Sequence, residues 1–430
     1  MASNGHSFDL PAYSGPSNGA NGAAGQVYTL HSLDNAFTIS IFAPSTGDHP
    51  IYTQNTEIKG KVTWNVAAKE EKIEALSISF RGVSRTAMQE ENIVKENLTW
   101  LINAKETLWE ANRNFQGLKT EKAGRLLPGT YEFPFTFRFP SKYREGETWT
   151  PLPPSYAVVV AGAPQRVRYW LEVEVDRAGL HWHKVLSKHK IIIVYLPSAI
   201  PNESNASLAF KKAREAGEFP PGPEADPGSW KVETREVKLK KSLKTQTLGR
   251  LDIELALPND APYHIGTSIP FILSIQATSS ENDHLLNSLR IYIGRQVTNK
   301  VPTSVATMGR QALVEVLPAR LKHIVVGDSA RELDTSEMGF NARDGKKRFF
   351  GEFVLDPDAA SICASFQTAN LKCEWFVGAA FVLPGLSGMI SKEHIEFPIE
   401  LVGGKFSGRV NVAGLMADEN QLEYVPSFRT

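Results

Sequence analysis

Between Leu126 and Val175 the chain alternates apolar and polar residues twice, with a proline-rich break between the two runs. In LLPGTYEFPFTFRFP, Phe133, Phe135, Phe137 and Phe139 fall on every second residue, with Glu132, Thr136 and Arg138 between them. That is the period of a strand with one buried face. In the second run Val167, Tyr169, Leu171, Val173 and Val175 alternate with Arg168, Trp170, Glu172, Glu174 and Asp176. This spacing predicts five side chains in a core and the charged ones in water. Two such strands in one stretch are expected to form the centre of a β-sandwich.

The same period recurs on both sides. Upstream lie FTISIF from Phe37, EIKGKVTWNV with Ile58, Gly60, Val62, Trp64 and Val66 on one face, and IEALSISFRG with Leu76, Ile78 and Phe80. Downstream, Leu251, Ile253, Leu255 and Leu257 alternate, then Ile269 to Ile275, Leu289 to Ile293, Leu371 to Phe381 and Ile395 to Leu401. Bounded by turn formers, these runs suit antiparallel sandwiches. Residues 88–115 are ambiguous, because MQEENIVKENLTWLINAKETLWEANRNF has the composition of a helix and its periodicity alone does not decide between helix and strand.

A chain of 430 residues is too long for one core. Residues 199–228 interrupt the strands with four prolines and three glycines in a short space, after a possible short helix, and are expected to be an interdomain linker. The reading is therefore a disordered, Gly/Ser/Asn-rich arm over 1–34, a β-sandwich over 35–198, the linker, a second sandwich over 229–402 and a tail over 403–430. The predicted class is all-β, two antiparallel immunoglobulin-like sandwiches in tandem.

Charge excludes a global attraction to nucleic acid or to an anionic membrane, since Lys and Arg number 47 and so do Asp and Glu. Cys363 and Cys373, the only cysteines, are too few for a disulfide scaffold or a zinc finger, and buried, unreactive positions are expected for them. With no apolar leader and no run near the roughly 18 apolar residues of a membrane span, a cytoplasmic location is the expectation, with peripheral contact at the plasma membrane or endosomes.

The sequence carries no nucleophile elbow, zinc-protease motif or phosphate loop, so no catalytic residue, cofactor or metal is assigned. GFNARDGKK has its glycines one residue too far apart for a phosphate loop and is expected to be a polar hairpin turn. His181, His183 and His189 include an H-x-H pair of the kind that binds zinc, but no third ligand is placed by the sequence. Candidate partner-binding residues are two basic clusters. Lys238, Lys240, Lys241 and Lys244 are expected along the first strand of the second domain, and Lys346, Lys347 and Arg348 in a turn after Asp344-Gly345. Either could hold phosphate oxygens of a phosphorylated tail or an inositol lipid, against the plainer reading of solvated strand faces.

The run L-P-G-T-Y-E-F-P-F-x-F-x-F-P, followed by L-P-P-S-Y and V-R-Y-x-L-x-V, resembles the N-terminal domain of arrestin-fold proteins, in particular the α-arrestin-like group. Its motif positions here are Pro128, Gly129, Phe133, Phe135, Pro153, Pro154, Ser155, Tyr156 and Tyr169. Tyr263-His264-Ile265-Gly266 before S-I-P-F, then F-x-T-x-N-L and E-F-P-I-x-L-V, resembles the arrestin C-terminal domain in outline. The resemblance implies a non-enzymatic adaptor that binds cytoplasmic tails of integral membrane proteins and directs their endocytosis or sorting, commonly with a WW-domain ubiquitin ligase. A retromer-like trafficking subunit of the same fold and a carbohydrate-binding β-sandwich protein stay open as alternatives. Pro153-Pro154-Ser155-Tyr156 also fits the Pro-Pro-x-Tyr pattern read by WW domains, yet its place between two core strands predicts burial.

Overall fold

The computed structural model describes residues 26–31, 37–44, 49–66, 73–90, 93–111, 120–121, 125–160, 163–177, 185–197, 203–240, 247–260, 262–277, 289–299, 323–324, 332–334, 339–343, 346–355, 363–381 and 394–403. They are predominantly β-sheet, and the chain divides into two compact units. The first comprises residues 1–197 together with Thr368–Asn370 and 407–430. The second comprises residues 198–367 and 371–406.

In the first unit β1 (Gln26–His31), β2 (Phe37–Ala43), β3 (Ile51–Tyr52), β4 (Glu57–Val66), β5 (Ile73–Glu90), β6 (Ile93–Glu110), β7 (Thr120–Glu121), β8 (Arg125–Leu126), β9 (Gly129–Arg138), β10 (Lys142–Glu145), β11 (Thr148–Pro151), β12 (Tyr156–Val160), β13 (Ala163–Arg177) and β14 (Val185–Tyr195) follow in order. One sheet runs β1-β2-β4-β9 and a second runs β3-β14-β13-β5-β6, with β12 also paired to β13. Their apolar faces meet, as a β-sandwich requires. Trp64 of β4 lies edge-on to Trp109 of β6 at 5.9 Å, and Phe80 of β5 lies 5.8 Å from Phe137 of β9. The predicted core positions Val167, Tyr169, Leu171, Val173 and Val175 are all buried.

Two expectations change here, and the ambiguity over residues 93–110 is resolved. The arm over 1–34 does not extend to its expected end, because residues 26–31 form β1, whose Tyr28 is buried and which pairs antiparallel with β2 along its whole length. Residues 93–110, including KETLWE, are strand, because β6 finds a long antiparallel partner in β5 that outweighs its helical composition. Finally, Glu172 and Glu174 of β13 do not face water, being only 1% and 7% exposed. Arg81 of β5 reaches both carboxylates, at 3.4 Å and 3.0 Å, and Lys105 of β6 caps Glu174 at 2.7 Å. Three adjacent strands carry long charged side chains on one face, and they cover one another.

The second unit starts with helix α1 (Asn205–Glu215) and continues through β15 (Trp230–Lys240), β16 (Thr247–Pro258), β17 (Tyr263–His264), β18 (Ser268–Ala277), β19 (Leu289–Asn299), β20 (His323–Ile324), β21 (Glu332–Asp334), β22 (Gly339–Arg343), β23 (Lys346–Val354), β24 (Phe366–Gln367), β25 (Leu371–Phe381), β26 (His394–Ile399) and β27 (Leu401–Val402). A five-stranded sheet runs β15-β16-β18-β23-β22. A second is built on β20-β19-β25-β24, with β21 on β19 and β26 on β25.

The stretch expected as a linker contains α1, which packs on the five-stranded sheet. Ser204 caps it by accepting from the Ser207 amide at 3.2 Å. At its other end Gly217, at a φ of 70°, lets the amides of Gly217 and Glu218 return to the carbonyls of Arg214 and Ala213. Between these caps Ala206 and Phe210 bury themselves against Trp230, Ala256 and Ile272. Ala256 and Ile272 lie on the sheet face opposite Leu255 and Leu273, so this sheet is apolar on both sides where the helix covers it.

Candidate functional site

Among the motif residues of the first unit, Tyr169 and Tyr156 meet on β13 and its neighbour β12, and Pro153 joins them through Tyr169. Tyr169 sits opposite Gly82 of β5, and a Cβ there would come within 2.6 Å of its ring. Glycine lets the ring lie flat on the neighbouring strand, and the phenol then donates to the Pro153 carbonyl at 2.6 Å. Burial holds that phenol well above the usual tyrosine range. Ser155 bridges to β14: its amide donates to the Tyr195 carbonyl at 2.8 Å, and its Oγ accepts from the Tyr195 amide at 2.9 Å.

Pro153, Pro154, Ser155 and Tyr156 are all buried, and Tyr156 opens β12 opposite Val167 of β13. A WW domain needs such a peptide laid open on a surface. Phe133 and Phe135 are buried on β9, whereas Pro128 and Gly129 lie exposed at its entry. Phe135 faces Gly60 of β4, where a Cβ would come within 2.6 Å of the ring.

A buried polar node was missed as a site by the sequence reading, although its F-x-T-x-N-L motif was visible. Asn370 donates to the carbonyls of Ser84 and Asn97 at 3.0 Å and 2.9 Å. Its Oδ1 accepts from Ser84 Oγ at 2.7 Å and from Thr368 Oγ1 at 2.9 Å. Both amide donors and the acceptor are therefore satisfied, which is what permits a fully buried asparagine. The node holds backbone in place and has no nucleophile or proton donor poised for chemistry.

The described residues of the two basic clusters lie on different strands of one sheet. Lys238 and Lys240 lie on β15, opposite Arg250 and Thr247 of β16, and Lys241 and Lys244 lie outside the described residues. Lys346, Lys347 and Arg348 are not in a turn but open strand β23, because each finds a partner on β18 as well as on β22. Two strands separate β23 from β15, roughly 14 Å at the usual spacing. Lys346 approaches Glu254 at 3.9 Å and Arg348 is ion-paired with Glu224, so acids of the same unit already answer two of these cations.

The remaining candidates lie elsewhere. His181 and His183 fall outside the described residues, while the His189 ring lies 6.2 Å from Phe37. Among the described residues no group of three His, Cys, Asp or Glu side chains is placed to hold a metal, and no helix is long and apolar enough to cross a membrane. GFNARDGKK supplies the hairpin of β22 and β23, its Asp344 and Gly345 lying outside the described residues. Cys363 and Cys373 are both buried and free.

Compared with known families, residues 43–196 match the arrestin (or S-antigen) N-terminal domain. An arrestin N-terminal domain is present in this chain. The match runs from the last residue of β2 to just beyond β14, so the Phe row of β9, the Pro153–Tyr156 stretch and Tyr169 of β13 all belong to the arrestin N-terminal domain. No curated protein matches the chain. The match supports a general arrestin-like adaptor role and a non-enzymatic protein.

Proposed function

We propose that this protein is a cytoplasmic adaptor whose arrestin N-terminal domain engages the cytoplasmic tails of integral membrane proteins and directs their endocytosis or sorting. The observation that carries this reading is the domain match over residues 43–196. In this reading the second unit is a partner sandwich of the arrestin type, and the chain touches membranes peripherally. A WW-domain ubiquitin ligase, where one takes part, does not dock on Pro153–Tyr156 of the folded protein, a view supported by the burial of all four residues. Phosphate groups of a tail would be met by Lys238 and Lys240, or by Lys346, Lys347 and Arg348 on the same sheet. Those cations are compatible with such a role without being specific to it.

Proximity labelling on the full chain in intact cells tests the reading. Plasma-membrane and endosomal membrane proteins should be enriched over a soluble control of similar abundance. A labelled set indistinguishable from that control would overturn the adaptor assignment.

A further inference from the structure

In the second unit the two cysteines of the chain meet. Cys373 lies on β25 opposite Phe366 and Val297, and its Sγ is 3.5 Å from the Sγ of Cys363, a contact between two free thiols. The indole of Trp375, two residues along β25 on the same face, donates to the Cys363 carbonyl at 2.9 Å and fixes that backbone. Arg295 of β19 is opposite Trp375, buried, with its guanidinium centre 5.7 Å from the indole ring centroid. Two thiols and a buried cation therefore share one interior site.

The environment differentiates the two sulfurs. Burial by itself would push the Cys363 thiol up. The hydrogen bond with Cys373 and the charge and hydrogen bond of Arg295 outweigh it and bring Cys363 below its ordinary value. Burial, with the hydrogen bond and charge of Cys363 added, holds Cys373 well above its own. A thiol lowered beside a cation is the nucleophile of a pair, and its neutral neighbour is the resolving group.

We propose that Cys363 and Cys373 form a reversible dithiol–disulfide site, oxidised by a hydroperoxide. The Cys363 thiolate attacks the terminal peroxide oxygen. The S–O bond forms as the O–O bond breaks, and the departing alkoxide or hydroxide takes up a proton. Cys373 then attacks the Cys363 sulfur of the sulfenic acid, the S–S bond forms, and hydroxide leaves with the Cys373 proton as water. The pair gives up two electrons and the peroxide accepts them. The disulfide would close the short loop that holds Phe366, Thr368 and Asn370, and so would restrict the turn leading into β25.

The test uses the full chain, reduced, freed of reductant and treated with hydrogen peroxide, beside a urea-unfolded sample that shows both thiols are oxidisable. Alkylation under denaturing conditions followed by peptide mapping should find Cys363 and Cys373 joined in one cross-linked pair, restored to free thiols by dithiothreitol. Hydrogen exchange across residues 364–372 should slow on oxidation. In Cys373→Ser, dimedone should trap a sulfenic acid on Cys363, whereas in Cys363→Ser the same treatment should leave Cys373 without an adduct. Arg295→Lys should retain most of the rate and Arg295→Gln should lose it. The proposal is overturned if the folded chain keeps both thiols alkylatable, if Cys363 passes to sulfinic acid with Cys373 still free, or if only links between chains form.

Discussion

Replacing Phe135 by alanine measures the row of rings on which the first unit is built. The side chain is buried on β9, its ring 6.0 Å from that of Phe137, and the residue opposite it on β4 is Gly60. Truncating a buried Phe costs about 3 to 5 kcal/mol, depending on how well the surroundings close the gap. The upper half of that range is expected, since Gly60 has no side chain to move inward. In a unit of this size each kcal/mol lowers the melting temperature by roughly 2 to 4 °C, so Phe135→Ala should lower it by roughly 8 to 20 °C. Urea unfolding of the full chain, followed by tryptophan fluorescence and calorimetry, reads the loss, with Trp64 and Trp109 reporting within the first unit. Thr136→Ala, at the exposed neighbouring position, should stay within about 0.5 kcal/mol. Gly60→Ala offers a cross-check. Its Cβ would press on the Ser40 carbonyl as well as on the ring, so it should destabilise even in the Phe135→Ala background. A loss below about 1 kcal/mol for Phe135→Ala would mean that the ring faces solvent or a partner, and the sandwich packing would be wrong.

Asn370→Ala should cost roughly 1 to 3 kcal/mol, because it takes an acceptor from the Ser84 and Thr368 hydroxyls and a donor from the Ser84 and Asn97 carbonyls; an unchanged urea midpoint would show that water replaces the amide freely. Tyr156→Ala should lower stability by about 3 to 5 kcal/mol, and purified WW domains should bind folded wild type no better than the variant. A variant of full stability that loses WW binding would make Pro153–Tyr156 a ligand instead. Burial pushes Tyr195 up to about 12 and raises Tyr52, Tyr169 and Tyr263 as well. Unfolded tyrosines ionise near pH 10, so stability should hold below that value and fall as pH climbs from about 10 towards 12, tyrosinate absorbance rising with unfolding. Ordinary titration of those phenols while the chain stays folded would contradict this.

Much of the fold was legible because a half-buried strand writes its burial with a period of two. The rows of β4, β9, β13, β16, β18 and β25 could be read without a partner in view. What failed depended on neighbours that a single strand does not reveal. Glu172 and Glu174 look solvated along β13, and only the pairing of β13 with β5 and of β5 with β6 brings Arg81 and Lys105 over them. β6 has a helical composition because an edge strand with one covered face tolerates Lys, Glu and Ala. Register with β5 settles it, and composition could not. The Lys346–Arg348 run looks like turn because it follows Asp-Gly, whereas the hairpin turns within two residues and the cations already belong to β23. Asn370 was visible as a motif letter. Its role was not, since its partners Ser84 and Asn97 lie more than 270 residues away.

The same dependence on neighbours bears on how a charged tail could be held. In both units basic side chains are matched by acids of the same unit: Lys61 with Glu132, Arg85 with Glu96, Arg214 of α1 with Glu352, Arg348 with Glu224. Among the described residues these opposite charges meet locally. A phosphate arriving at Arg348 would have to displace Glu224 and not fill a vacant site. That exchange is inexpensive, because an exposed pair contributes only about 0.2 to 1 kcal/mol, but the same arithmetic limits what a single phosphate gains. Affinity built this way needs several contacts, or an apolar contribution beside the charge. The exposed surface offers the latter at Trp100 and Leu98 on β6 and at Trp149 on β11, which are 51%, 54% and 66% exposed. Trp100 lies 6.5 Å from Trp170 on the neighbouring face of β13, and Lys190 sits 5.9 Å over the Trp170 ring. Aromatic area next to a cation discriminates among peptides in a way that a compensated ion pair cannot.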